Sequence, residues 1–170
     1  MTNETSHPSA SDSSVDVRAL IAPSGVEITQ LAKIFDRYRI HYGEAADASH
    51  TASWLEGNLG DGRLRAFVAE DNGEFVGFAT TMTIPASLRL GHFWQVRDLF
   101  VLPNHRRLGI GRTLLDFIRA AATTAGAVRL VVQTEADNTT ALLLYAESGY
   151  TTVEGYCSLT LPLTPGSGGS

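Results

Sequence analysis

Residues 94–115 read WQVRDLFVLPNHRRLGIGRTLL. The first eight, Trp94 to Val101, are mostly apolar and β-favouring, with Asp98 standing among them, and predict a strand. Pro103 and Asn104 end it, because proline cannot donate to a strand ladder. The run Arg106-Arg107-Leu108-Gly109-Ile110-Gly111 predicts a glycine-rich turn. Beyond it Leu114, Leu115, Phe117, Ile118 and Ala121 recur at helical spacing. A turn that opens a helix gathers unpaired backbone N–H groups at the positive end of the helix dipole, which makes it an anion site. Gly109 and Gly111 have no Cβ, so a bulky phosphate group can approach the backbone. Arg106, Arg107 and Arg112 can add charge-assisted bonds.

Working outward, Val15 to Ile21 predicts a first strand, broken by Pro23-Ser24-Gly25. Val26 to His41 carries Ile28, Leu31, Ile34, Phe35 and Tyr38 at helical spacing. Ser49 to Gly57 predicts a shorter helix with Trp54 and Leu55 in the core. Leu64 to Glu70 and Glu74 to Ile84 predict two strands joined by Asn72-Gly73, a strong hairpin signal. Gly77 marks a bulge or a close backbone approach. After the helix of the organising stretch come a buried strand, Val128 to Thr134, a helix from Asn138 to Ser148, and two short strands, Tyr150 to Val153 and Tyr156 to Leu161. A meander followed by a strand–helix–strand crossover predicts an α/β (α+β) domain: a mixed sheet of six or seven strands flanked by about four helices.

The 170 residues are 44% hydrophobic and 18% charged, which suits one globular domain. That domain is expected over residues 15–163, between a polar, disordered tail at 1–14 and a flexible Gly/Ser tail at 164–170. A net charge of −5 argues against nonspecific nucleic-acid binding. No apolar run is long enough for a membrane span and no secretory signal is visible. One cysteine, Cys157, excludes an internal disulfide framework and fits a reducing cytoplasm. It is expected in the core of a terminal strand. The five histidines show no metal-ligand spacing, so no metal is expected.

Two other glycine motifs fail here. A Walker loop needs Gly-Lys-Ser/Thr, and Gly111 is followed by Arg112. A dinucleotide fingerprint needs a third glycine, and that position is Leu114. Arg-x-x-Gly-x-Gly on a strand-to-helix turn instead resembles the acetyl-coenzyme A loop of the GNAT superfamily of N-acetyltransferases, and the element order resembles that fold along nearly the whole ordered chain. A second segment agrees: Asn138, Ala141, Tyr145, Gly149 and Tyr150 look like the family's other coenzyme segment. Tyr38-Arg39 followed by Tyr42-Gly43, with DLFV in the organising strand, resembles a bacterial subgroup with diverse acceptors.

The resemblance implies acetyl-CoA as the coenzyme, held by Leu99, Phe100, Val101, Arg106 to Arg112, Asn138 and Tyr145. It implies that the strand at 94–101 splays from its neighbour, often with a bulge, so that Leu99 and Val101 offer backbone groups there. The Val101 N–H would polarise the thioester carbonyl. Tyr145 would protonate or hydrogen-bond the departing thiolate. Asp98 would take a proton from the acceptor ammonium, directly or through water. Without the family, Asp98 reads equally as an outward residue paired with Arg97 or Arg129, Asn138 as a helix cap, and Tyr145 as a packed aromatic. Tyr38, Arg39, Tyr42 and Glu44, with Asp98, are expected at the acceptor wall, where the aromatics Tyr38, Tyr42 and Trp54 and the acids Glu44 and Asp47 would close a compact, mildly acidic pocket. The expected activity is direct acetylation of a small primary amine by a cytoplasmic enzyme, with a homodimer as the candidate assembly. A protein acetyltransferase and a noncatalytic acyl-CoA sensor are the alternatives.

Overall fold

The computed structural model describes residues 15–155 and 157–163. The tails expected at 1–14 and 164–170 lie outside the described residues, as does Tyr156. The order is β1 (Asp16–Leu20), α1 (Gly25–His41), α2 (Ala48–Gly60), β2 (Arg65–Asp71), β3 (Glu74–Ala86), β4 (Gly91–Val101), α3 (Ile110–Thr124), β5 (Leu130–Val132) and α4 (Thr139–Glu147). The strands form one sheet in the order β1-β2-β3-β4-β5. The first four are antiparallel, and β5 joins β4 in parallel through the α3 crossover.

Local sequence explains the element ends. Ser24 caps α1 in a full capping box with Glu27. The β2–β3 hairpin turns on Asn72 and Gly73, both at positive φ, as a type I′ turn requires. Apolar residues on the two faces build two cores. Val96, Trp94, Phe67, Leu114 and Ile118 pack beneath α3. Leu31, Phe35, Leu55, Phe78 and Phe100 pack beneath α1 and α2.

Gly77 meets both expectations. Val76 is the extra residue in a register shift between β2 and β3, since Ala69 pairs with Gly77 but Glu70 with Phe75. A Cβ on Gly77 would stand 3.2 Å from Ile110 Cγ2 and 3.4 Å from Leu114 Cδ1. Glycine here lets the first turn of α3 sit directly on the sheet.

The two short strands expected at Tyr150–Val153 and Tyr156–Leu161 do not form among the described residues, so the sheet has five strands, not six or seven. Apolar alternation makes a strand only when a neighbour supplies the ladder. β5 is three residues long, and Gly149 and Gly155, at φ +87° and +80°, turn the chain. Val153, Leu159 and Leu161 are exposed, and so is Cys157, which was expected in the core. Trp54, expected in the core, is 44% exposed, whereas Leu55 is fully buried. No helix among the described residues is long and apolar enough to cross a membrane.

Gly77→Val should destabilise the protein by roughly 1–3 kcal/mol, the usual cost of overpacking. Chemical denaturation measures it, and an unchanged midpoint would exclude the close seat of α3 on β3.

Candidate active site

A single bulge in β4 organises the site. Thr80 pairs with Asp98 and Thr81 with Val96, which leaves Arg97 as the extra residue. Before the bulge Trp94 and Val96 face the α3 core. After it Leu99 and Val101 face that core, while Asp98 and Phe100 face the α1–α2 side. One inserted residue has flipped every later side chain.

The backbone flips too. The Trp94 N–H donates to the Arg129 carbonyl at 3.1 Å, toward β5. The Leu102 N–H donates to the Val76 carbonyl at 2.9 Å, toward β3. Period-2 alternation then aims the Leu99 and Val101 backbone groups away from β3. β5 pairs with β4 only over Trp94–Val96 and has parted from it at that point. The expected splay is present, and its open edge carries strand donors and acceptors with no strand beside them.

A groove of about 650 Å³ runs from this split. It is lined by Leu99, Phe100 and Val101 of β4, by Arg106, Arg107 and Gly109 to Arg112 of the turn, and by Asn138, Thr140, Ala141, Leu144 and Tyr145 around α4. The turn has the features of an anion cradle. Arg107 and Gly109 both adopt left-handed backbone, at φ +63° and +82°, a curl of the kind that makes anion-binding concavities. Gly109 caps α3 with no side-chain partner, so the first N–H groups of the helix remain unsatisfied. A Cβ on Gly109 would meet nothing within 4 Å.

The two glycines differ in purpose. Gly109 is required by its φ and leaves room beside it. A Cβ on Gly111 would lie 3.1 Å from Leu144 Cδ2, so Gly111 lets α4 approach α3. Phosphate access is therefore a property of Gly109 more than of Gly111. The arginines divide as well. Arg106 Nε donates to the Val101 carbonyl at 3.0 Å and its guanidinium stacks 5.4 Å from the Phe100 ring. Arg112 bonds Glu147 at 2.6 Å and locks α3 to α4. The Arg107 side chain has no hydrogen bond or ion pair among the described residues. Leu108 is 67% exposed and its side chain does not line the groove.

Asn138 caps α4, its side chain accepting from the Ala141 N–H at 3.1 Å, and it also lines the groove. Tyr145 lies on the groove wall, edge to face with Tyr150 at 5.7 Å. Burial, with smaller contributions from Tyr150, Tyr42 and Glu135, pushes the Tyr145 hydroxyl up to about 12. It stays protonated across the neutral range.

A second cavity, about 380 Å³, opens on the other face of β4. Phe35, Tyr38, Arg39, Glu44, His50, Thr51, Trp54 and Asp98 line it. Asp98 accepts a hydrogen bond from Thr80 Oγ1 and shares the cavity wall with Tyr38. Burial first, then the Asp98 charge, holds the Tyr38 hydroxyl well above its ordinary range. Tyr38 is fixed among Phe35, Tyr42, Phe78 and Phe100, with ring centroids 5.1–5.8 Å away. The structure thus joins Asp98, Tyr38 and Arg39 in one cavity. Tyr42, expected beside them, lines the groove instead, because it lies beyond the end of α1 as its C-cap.

Sequence reading missed Asp36. Its carboxylate is buried under α2 and bonds Arg39, Thr51 and the Asp47 N–H. The signal was an acid four residues after Ala32, on the apolar face of α1. His41 and His105, both at the groove, carried no distinguishing motif.

The model of the Acetyltransferase (GNAT) family matches residues 28–150. The chain belongs to this family and is an acetyltransferase. It is 33% identical over 126 residues to the uncharacterised N-acetyltransferase YhfO of Bacillus subtilis, covering 74% of this chain and 85% of that one. The fold is shared with an aminoglycoside acetyltransferase from an uncultured soil metagenomic sample, at TM-score 0.75 and 21% identity over 88% of this chain and 97% of that one. It is shared equally with the ribosomal-protein-alanine N-acetyltransferase of Brucella melitensis, at TM-score 0.73 and 20% identity over 89% and 100%.

Tyr38, Tyr145 and Tyr150 are all buried enough to raise their hydroxyls. The folded state then keeps protons that the unfolded chain loses near its ordinary value of 10.0. Between pH 10 and about 12 the folded protein binds more protons than the unfolded one, so stability falls as pH rises. Below pH 10 these groups contribute no slope. Denaturation across this range should show the fall, and Tyr150→Phe should make it shallower; an unchanged slope would contradict the burial of that ring.

Proposed function

We propose that the protein transfers the acetyl group of acetyl-CoA to a primary amine of a small molecule, by direct attack within a ternary complex. One observation carries this reading. The groove and the cavity lie on opposite faces of β4 and meet at residues 98–101, where the bulge places an acid on one side and turns the Leu99 and Val101 backbone groups away from β3 on the other.

The donor side fits an acyl-coenzyme A. The open turn at Gly109, the unsatisfied start of α3 and the unpaired Arg107 suit a diphosphate. The bare edge at Leu99 and Val101 suits an extended amide-bearing arm. When bound, the coenzyme supplies an activated acetyl thioester. On the protein side, the Val101 N–H would stabilise charge developing on the carbonyl oxygen. The Tyr145 hydroxyl, protonated at neutral pH, would donate to the departing sulfur.

On the acceptor side, Asp98 would receive the ammonium proton, directly or through water, and free the amine lone pair. Thr80 holds its carboxyl in place, and Tyr38 lines the cavity beside it. Tyr38 and Trp54 offer aromatic faces and Glu44 a further carboxylate, all of which favour a cation. The cavity volume suits a compact ligand. Cys157 lines neither space, which favours direct transfer over a cysteine-bound acetyl group. The shared fold of an aminoglycoside acetyltransferase agrees with an amine of this size. The domain is taken as residues 15–163, and a single cysteine suits a cytoplasmic enzyme.

Release of free thiol from acetyl-CoA, measured against a panel of small amines and peptides, tests the reading. Small amines should be acetylated. Activity on peptides with silence toward every small amine would replace it with a protein acetyltransferase. Tyr145→Phe should lower kcat on the order of 10–1000-fold with little change in coenzyme affinity; full turnover would remove Tyr145 from the mechanism. Gly109→Glu should abolish tight acetyl-CoA binding in calorimetry while the protein stays folded.

A further inference from the structure

Asp36 is a charged residue in an apolar setting. It projects from the middle of α1, 6% exposed, on the side that α2 covers. An ionised carboxylate there is costly unless it is fully bonded. It is bonded four times. Oδ1 accepts from Arg39 Nη1 at 2.9 Å, from the Thr51 hydroxyl at 3.2 Å and from the Asp47 N–H at 3.1 Å, while Oδ2 takes the same N–H at 3.2 Å. Arg39 Nη1 also donates to Thr51 Oγ1 at 3.2 Å, which closes a triangle of three side chains.

The partners belong to three consecutive pieces of chain. Arg39 is in the last turn of α1, Asp47 is the N-cap of α2, and Thr51 is in the first turn of α2. The Arg39 carbonyl accepts the Glu44 N–H at 3.0 Å, so the intervening loop is tied to the same point. Arg39, Glu44, His50, Thr51 and Trp54, five of the eight residues lining the acceptor cavity, lie on this pinned segment. None of the residues bonded to Asp36 lines the coenzyme groove.

We propose that Asp36 is a positioning residue for the acceptor. Its buried carboxylate fixes Arg39 and the 44–51 segment as one wall of the cavity, and thereby sets acceptor affinity independently of the coenzyme. Arg39 is held through one nitrogen. Its other terminal nitrogen pairs with Glu44 Oε2 at 3.9 Å, and both side chains line the cavity. The inference rests on the reading of this cavity as the acceptor's.

The test uses the full chain, with the best amine from the panel as substrate. In Asp36→Asn the acceptor KM should rise on the order of tenfold, the loss expected for a hydrogen bond to a charged group. The acetyl-CoA Kd should stay within about twofold, as for sites with no shared partners. Thr51→Val leaves the Asp36–Arg39 pair in place and should raise the acceptor KM by about threefold. It carries the test should Asp36→Asn fail to fold. An unmoved acceptor KM in a folded variant overturns the inference, and so does a coenzyme Kd that rises in step with the acceptor KM, since that is a general structural loss. Those outcomes leave the acetyltransferase reading intact. A wild-type enzyme silent toward every amine overturns that reading and this inference with it.

Discussion

The extra residue at Arg97 is the constraint on which the candidate site depends. A strand of period 2 can present only one set of side chains to each face. Without the bulge, Asp98 would face the same way as Trp94 and Val96, into the apolar core beneath α3, where an unpaired carboxylate is untenable. With the bulge it turns to the α1–α2 face, where Thr80 bonds it and Tyr38 lines the cavity beside it. The same inserted residue swaps which backbone groups bond to β3 and which are released to the side that β5 abandons. Acid and open edge are therefore produced together by one irregularity.

Around that point the structure spends its rigidity unevenly. The groove along α3 and α4 is held by close approaches that only glycine permits. Gly77 seats α3 on β3 and Gly111 seats α4 on α3, while Arg112 and Glu147 latch the two helices. The cavity between β4 and the α1–α2 pair is held by polar and aromatic contacts. Tyr38 is locked in a cluster of rings, and Asp36 gathers the far wall through hydrogen bonds. Packed glycine contacts tolerate little change, whereas a wall held by hydrogen bonds to one carboxylate can be rebuilt residue by residue.

Much of this was legible in the chain. Residues 94–115 carry a strand, its proline stop, a glycine turn and an amphipathic helix in consecutive order, and each signal is local. Asn72-Gly73 and Asn138 as a cap were equally local, and both stand in the structure. Local chemistry also brought Asp98, Tyr38 and Arg39 to attention, and the fold assembles them in one cavity.

Tertiary structure decided the rest, for physical reasons. Whether Tyr150–Val153 becomes a strand depends on a neighbour's ladder, which alternation in its own sequence cannot report. Gly109 and Gly111 look alike in sequence, yet one is set by a left-handed φ and the other by the distance to Leu144, a residue 33 positions away. Tyr42 was misplaced, and Trp54 is more exposed than a core residue, because helical spacing gives a face but not what covers it; Trp54 lines the cavity with Tyr38 and Asp98, and Tyr42 lines the groove. Asp36 went unseen because a lone acid on an apolar helix face gains meaning only when Thr51 and the Asp47 N–H arrive to bond it. The sequence by itself determined the elements and the chemistry they carry. Only the packing of α2 over α1, and the parting of β5 from β4, decided which of those groups share a cavity, because long-range contacts set distances that no local pattern encodes.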